Sequence, residues 1–153
     1  MRKVKTFMVN VGIIGQIARK REIYGYIQDT IYHLHPNLRR NVDLELSITS
    51  YKIENGDYSY ATCSGNRGQI DIILNRLDED GIKFTHNQMM LNLAHELVHA
   101  KQFIKGELSP KLQRFKRKYH GKTPYSRQPW EKEAYKLESK LYNMFWVGRE
   151  NFI

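Results

Sequence analysis

Residues 85–106 read Thr-His-Asn-Gln-Met-Met-Leu-Asn-Leu-Ala-His-Glu-Leu-Val-His-Ala-Lys-Gln-Phe-Ile-Lys-Gly, and the reading of this stretch decides the architecture. Thr85 with Gln88 three residues later is a capping box, in which two side chains satisfy amide hydrogens left unpaired at a helix start. Gly106 supplies a stop. No proline or glycine stands between these signals, so one long helix is predicted. Leu91, Leu93, Ala94, Leu97 and Val98 make it largely apolar and place it in a core.

His95, Glu96 and His99 sit in the middle of that helix. Histidines four residues apart lie on one face, one turn above the other. Their imidazoles can therefore reach a single tetrahedral Zn²⁺ at roughly 2.0–2.1 Å each. Glu96 points to a neighbouring face, beside the metal and outside its coordination positions. A general base that takes a proton from a metal-activated water has to stand there. Burying two histidines and a glutamate is costly unless something uses them.

The rest of the chain is assembled around this helix. Residues 3–11 alternate loosely and read as a strand. Ile23, Tyr26, Ile27, Ile31 and Leu34 recur at helical spacing, predicting a helix over about 17–34 that Pro36 ends. Val42 to Ile48 alternates as a half-buried strand, and Asn55-Gly56-Asp57 turns the chain into a returning strand, Tyr58 to Cys63. Gly65-Asn66-Arg67-Gly68 turns it again into Gln69 to Asn75. Pro129 opens a last helix with an apolar stripe through Trp130, Ala134, Leu137, Leu141, Met144 and Phe145. Helix, three strands, helix, basic loop, helix is an α+β order with an antiparallel or mixed small sheet, in one domain over residues 1–153.

A catalytic zinc keeps three protein ligands, so a third must come from elsewhere. The last helix offers Glu131 and Glu133, with His120 as a rival. Two residues apart on a helix is about 200° of rotation, so both glutamates cannot face one metal. The stripe through Trp130, Ala134, Leu137 and Leu141 runs between them, and adding Tyr135 and Tyr142 tilts it towards Glu131. Tyr125, Tyr119 and His120 could donate a hydrogen bond to an oxyanion. Gln102 and Asn92 could orient the histidines.

His95-Glu96-Leu97-Val98-His99-Ala100-Lys101-Gln102, then Gly106-Glu107-Leu108, then Pro129-Trp130-Glu131-Lys132-Glu133-Ala134, resembles the small gluzincin-type zinc metallopeptidases. Those include the minigluzincins and many short, often phage-encoded proteins. The resemblance covers about residues 69–138. It implies a zincin-like fold: an N-terminal helix, a three- to four-stranded twisted sheet, the active-site helix and a C-terminal helix that carries the third ligand. It implies zinc on His95, His99 and Glu133, the last because the family often follows its glutamate with alanine or glycine. It also implies hydrolysis of a peptide or protein substrate with Glu96 as general base, the substrate pairing along an edge strand taken to be Gln69 to Asn75. SprT-like proteases, which act on nucleic-acid-bound protein, are a second relative, and there His120-Gly121 would hold the metal. A nucleic-acid-binding module with a vestigial zinc site is the reading from another class. A structural zinc site would be closed by four ligands, often cysteines, and this chain has one cysteine.

Composition narrows the setting. The net charge is +9, which favours anionic partners without naming one. The basic segment 111–122 either meets nucleic acid or is a solvated surface, and these two readings stand level. Cys63 alone excludes an intrachain disulfide and fits a reducing, cytoplasmic compartment, where it reads as a passive thiol. No apolar run reaches the ~18–20 residues of a bilayer span, so no membrane partner is expected. The basic start followed by Thr6 to Ile17 imitates a leader, but Asn10, two glycines and Gln16 interrupt it.

Overall fold

The structure, a computed structural model, describes residues 7–50 and 59–150. Strand β1 (Val9–Ile14) is followed by helix α1 (Lys20–Leu34) and strand β2 (Val42–Thr49). In β2, alternation is realised as Val42, Leu44 and Leu46 in the core with Asp43 and Glu45 exposed. β1 lies parallel to β2 with Val9 opposite Val42, a pairing that needs a crossover, and α1 makes it. α1 starts after Arg19, whose left-handed backbone (φ 63°) breaks the helical path, so the helix begins later than Ile17. It ends at Leu34, before the Pro36 that disfavours helical His35.

Strand β3 (Ala61–Gly65) and strand β4 (Gln69–Asn75) form an antiparallel pair, and β4 is also parallel to β2. Among the described residues the main sheet is mixed and runs β1-β2-β4-β3. This corrects two expectations. The strand around Cys63 does not return beside β2, because β4 lies between them. The edge on that side is β3, not residues 69–75. The reason is burial: β4 puts Ile70, Ile72 and Leu74 into the core, whereas β3 is short and largely polar, as an edge strand should be. Gly65 closes the β3–β4 turn so tightly that an added Cβ would lie 2.2 Å from the Gln69 carbonyl oxygen. The Asn55-Gly56-Asp57 turn and Tyr58 lie outside the described residues, as does the beginning of the first expected strand.

Helix α2 (His86–Ile104) carries both ends of the predicted capping box: the Thr85 hydroxyl accepts from the Gln88 amide at 3.1 Å, and the Gln88 side chain accepts from the Thr85 amide at 2.8 Å. Gly106, with φ 73°, turns the chain away after it. α2 packs on β3, β4, α1 and the last helix, so it is buried all round from Leu93 to Ile104. The Tyr26 hydroxyl donates to the Met90 carbonyl at 2.9 Å, and its ring meets Trp146 at 5.3 Å, tying α1 to α2 and to the C-terminal end.

Residues 108–128, for which periodicity offered no element, contain a hairpin of β5 (Arg114–Phe115) and β6 (Lys118–Tyr119). Its turn residues Lys116 and Arg117 both have positive φ, 49° and 72°. That conformation costs a non-glycine residue roughly 1 kcal/mol or more. Helix α3 (Pro129–Leu141) follows and runs into a π turn, Tyr142–Val147. No helix among the described residues is long and apolar enough to cross a membrane.

Cap and core should separate in stability measurements. Thr85→Ala is expected to lower unfolding free energy by about 1 kcal/mol. Leu97→Ala, at a fully buried site, is expected to lower it by about 3 kcal/mol. Urea denaturation of the metal-free protein reads both.

Candidate metal centre

His95 and His99 are 3% and 6% exposed, on the face of α2 that meets α3. Their Nε2 atoms approach each other to 3.3 Å. The Glu131 carboxylate closes the triangle, with Oε1 at 2.5 Å from His99 Nε2 and Oε2 at 3.3 Å from His95 Nε2. These three groups are buried, and their ligand atoms all lie within 4.8 Å of one another. They form a set that could hold a metal ion.

The partners behind the rings sharpen that statement. His95 Nδ1–H donates to Glu138 Oε2 at 2.9 Å, because a carboxylate can only accept. His99 Nδ1 lies 2.8 Å from Gln102 Oε1. The Gln102 amide is oriented by its other end, where Nε2 donates to the Trp130 carbonyl at 3.0 Å and to Glu133 Oε1 at 3.1 Å. Its oxygen therefore faces His99, and His99 Nδ1 carries the proton. With Nδ1–H engaged behind each ring, Nε2 is the nitrogen that faces Glu131 and, once its own proton is lost, the one free to take a metal. Without a metal, protons on Nε2 hold the histidines to the Glu131 carboxylate, which raises both imidazoles and lowers Glu131. A cation held by the three groups would replace those protons, and the donor set of two imidazoles and a carboxylate suits a divalent transition metal such as zinc.

Glu133 is where the structure departs from the expected ligand set. It is not brought to the histidines. It accepts from Lys101 Nζ at 2.6 Å, and Lys101 also pairs with Glu107 at 2.9 Å. Helix rotation decides this: α3 buries Trp130, Glu131, Ala134 and Leu141, and Tyr135 lays its ring edge-on to His95 at 4.6 Å. Glu131, Tyr135 and Glu138, spaced i, i+4, i+7, share the face towards the imidazoles, and Glu133 falls towards the later turn of α2. His120 is not in the cluster either; its ring stands edge-on to Trp130 at 6.0 Å. Glu138 and Tyr135 were missed by sequence reasoning, although their spacing from Glu131 marks the same face. Gln102 has the orienting position expected of it. Asn92 does not, and its buried Nδ2 finds no hydrogen-bond partner among the described residues.

A cleft of about 710 Å³ opens over these groups. It is lined by Ala61, Thr62 and Cys63 of the edge strand, by His95, Glu96, His99 and Glu131, and by the apolar Phe103, Leu108 and Trp130. Tyr125 lines the cleft although its side chain is half-exposed, whereas Tyr119, also half-exposed, stands on the hairpin and is not among the lining residues. Tyr125 bonds to Glu131 and Tyr135, and burial together with those bonds pushes its hydroxyl far above the ordinary range, so it remains a proton donor. Tyr60, also in the cleft wall, is raised by burial and by its bond to Tyr135.

Charge within the cluster is strongly coupled. Burial lowers the pKa of His95 and His99, but their bonds to Glu131 and the nearby Glu96 and Glu131 charges outweigh it, and both end raised. Burial raises Glu131, yet its bonds to the two histidines bring it well below the usual carboxylate range. Glu96 is raised, chiefly by burial, against the lowering effect of the two histidines. Cys63 is pushed up by burial and then by Glu96 and Asp71, which leaves it a poor nucleophile.

No protein-family model matches this chain, and no curated protein or solved structure was found to match it.

The placement of the two glutamates yields a direct comparison. Glu131→Ala should weaken zinc binding by more than the ~10–100-fold that loss of an orienting partner costs. Glu133→Ala should retain the metal within about tenfold while destabilising the fold by roughly 1–3 kcal/mol, since the buried Lys101 loses one of its two partly buried partners. Competition against a chromophoric chelator and urea denaturation report these separately. Because both imidazoles are raised above 6.5 in the metal-free protein, zinc has to displace protons from them below their folded pKa values. Apparent affinity should then fall on going from about pH 8 to about pH 6, and calorimetry in buffers of different ionisation heat should register proton release.

Proposed function

We propose that this protein is a zinc-dependent peptidase that hydrolyses peptide bonds with water, using Glu96 as general base. The observation that carries the reading is the convergence of two imidazole Nε2 atoms and the Glu131 carboxylate beside a buried glutamate, all lining one cleft. Three protein ligands rather than four is the composition of a catalytic site, and it leaves a position for a reacting group.

His95, His99 and Glu131 would hold the metal, which when bound supplies Lewis acidity towards water and a substrate carbonyl. Glu96 takes a proton from the attacking water as the new oxygen–carbon bond forms. It then hands that proton to the amide nitrogen as the carbon–nitrogen bond breaks, so acid and base work are done by one carboxyl group. Burial keeps its proton affinity above that of a solvated glutamate, which favours the first transfer. Tyr125 is the member of the three expected oxyanion donors that lines the cleft, and its hydroxyl stays protonated. Glu138 and Gln102 hold the two imidazoles in the tautomer that binds metal.

β3, an edge strand among the described residues, offers backbone N–H and C=O groups along the cleft to an extended peptide. This gives the edge-strand role to Ala61–Gly65. Glu131 as the third ligand keeps the mechanism intact, because its donor atom is a carboxylate oxygen like that of Glu133.

The test is Glu96→Gln. Zinc content and melting temperature should stay near those of the parent, while kcat for a casein-type or fluorogenic peptide substrate falls by about 10²–10⁴-fold. Loss of zinc from that variant would make Glu96 a ligand and reassign the roles.

A further inference from the structure

The segment from Ser109 to Thr123 carries Lys111, Arg114, Lys116, Arg117, Lys118 and Lys122 and no acidic residue, on a chain whose net charge is +9. Its cations are not on a loose loop. Phe115 is 7% exposed and packs beside Trp130 at 6.2 Å, and it also bridges to Leu108. The Lys116 amide donates to the Glu107 carbonyl at 2.7 Å, and the Gln113 and Arg114 amides donate to the Ser109 hydroxyl at 3.1 and 2.9 Å. The hairpin is thereby pinned to the body through its inward face. Its tip, where asparagine and glycine would be relaxed, is built from Lys116 and Arg117 in left-handed conformations. Lys116 Nζ lies 3.7 Å from Glu107 Oε2 with its side chain largely exposed, a screened pair that does not by itself account for strain kept at two cationic side chains.

Arg114 pairs with Tyr119 across the two strands, opposite in direction to the buried Phe115. The Tyr119 ring is 54% exposed with the Arg114 guanidinium 5.9 Å from its centroid. A half-exposed aromatic ring, with Gly121 against its hydroxyl end, is thus bracketed by cations at the hairpin tip and base. An acidic protein would use the charges but not the ring. A membrane surface would favour apolar side chains at the tip, where there are lysine and arginine. A single nucleic-acid strand presents phosphates and unstacked bases in alternation and uses both.

We propose that the β5–β6 hairpin is a docking surface for single-stranded nucleic acid, with Lys116, Arg117 and Lys118 on phosphates and Tyr119 stacked on a base. The proposal is independent of the peptidase reading and locates the cleft's chemistry beside a bound strand.

Fluorescence anisotropy of a labelled oligothymidine of about 20 nucleotides with the full chain tests it, because the readout does not involve hydrolysis. Binding is expected at low salt and should weaken linearly in log–log form as salt rises. Lys116→Gln, Arg117→Gln and Lys118→Gln together should reduce that slope by about 2, the loss of three contacts at ~0.7 each. Tyr119→Ala should weaken binding about tenfold at an unchanged slope, and Tyr119→Phe, which keeps the ring, should bind as the parent does. Melting temperatures confirm that each variant is folded. The proposal is overturned if the oligonucleotide does not bind at low salt, or if the triple variant keeps the parent slope. It is equally overturned if polyglutamate of similar length competes as well per charge, or if phosphatidylserine vesicles bind the chain and the oligonucleotide does not.

Discussion

Two imidazole nitrogens, each ring held by a partner on its other nitrogen, face one another across 3.3 Å with the Glu131 carboxylate against both. This constraint organises the rest of the molecule. Such a cluster is unfavourable in water-free surroundings unless its geometry is enforced, and three elements enforce it. α2 supplies the histidine spacing. α3 supplies Glu131 and Glu138 on one face and the Trp130 carbonyl that orients Gln102. The sheet supplies the apolar platform, through Leu46, Ile70, Ile72 and Leu74, against which the helices are held. The core therefore serves as much to fix rotation of the helices as to stabilise the fold.

The parts legible in the sequence were those governed by local rules. Thr85, Gln88 and Gly106 state where α2 begins and ends, because a cap is a contact within a few residues. Val42, Leu44 and Leu46 announce a half-buried strand by alternation alone. The His95–Glu96–His99 group could be located because helical spacing converts directly into a shared face. Strand order is a different kind of quantity. Whether β3 lies beside β2 or beyond β4 depends on which strand competes better for the interior position, and that is settled by Ile70, Ile72 and Leu74 together. The basic hairpin was hidden for a chemical reason: its turn uses Lys116-Arg117 where the recognisable signals are asparagine and glycine.

The choice between Glu131 and Glu133 lies between these cases. The stripe on α3, once Tyr135 and Tyr142 are counted, leans towards Glu131, and the packed helix follows that lean. The expectation of Glu133 came from a neighbouring alanine, a feature that says nothing about rotation. Ala134 is fully buried, which explains the alanine as a packing requirement of the α3 face. Glu133 still matters at one remove. Its carboxylate takes up the Lys101 charge and one hydrogen of Gln102, and both bonds bring it below the ordinary carboxylate range against the effect of its own burial.

That second role joins the metal centre to the hairpin through one run of polar contacts. The amide of Lys116, in the hairpin turn, donates to the Glu107 backbone, and the Glu107 carboxylate pairs with Lys101. Lys101 pairs with Glu133, Glu133 accepts from Gln102, and Gln102 faces His99. Lys101 is a lysine at 7% exposure whose ammonium is kept charged because its two carboxylate partners outweigh the cost of burial. Removing the hairpin's cover would admit water to that ion cluster and weaken each of its bonds, since exposed pairs of this kind are worth only about 0–1 kcal/mol. The hairpin thus has a structural reason to be rigid that is separate from anything it binds. The same polar run that fixes the turn also fixes the orientation of the amide on which the tautomer of His99 depends.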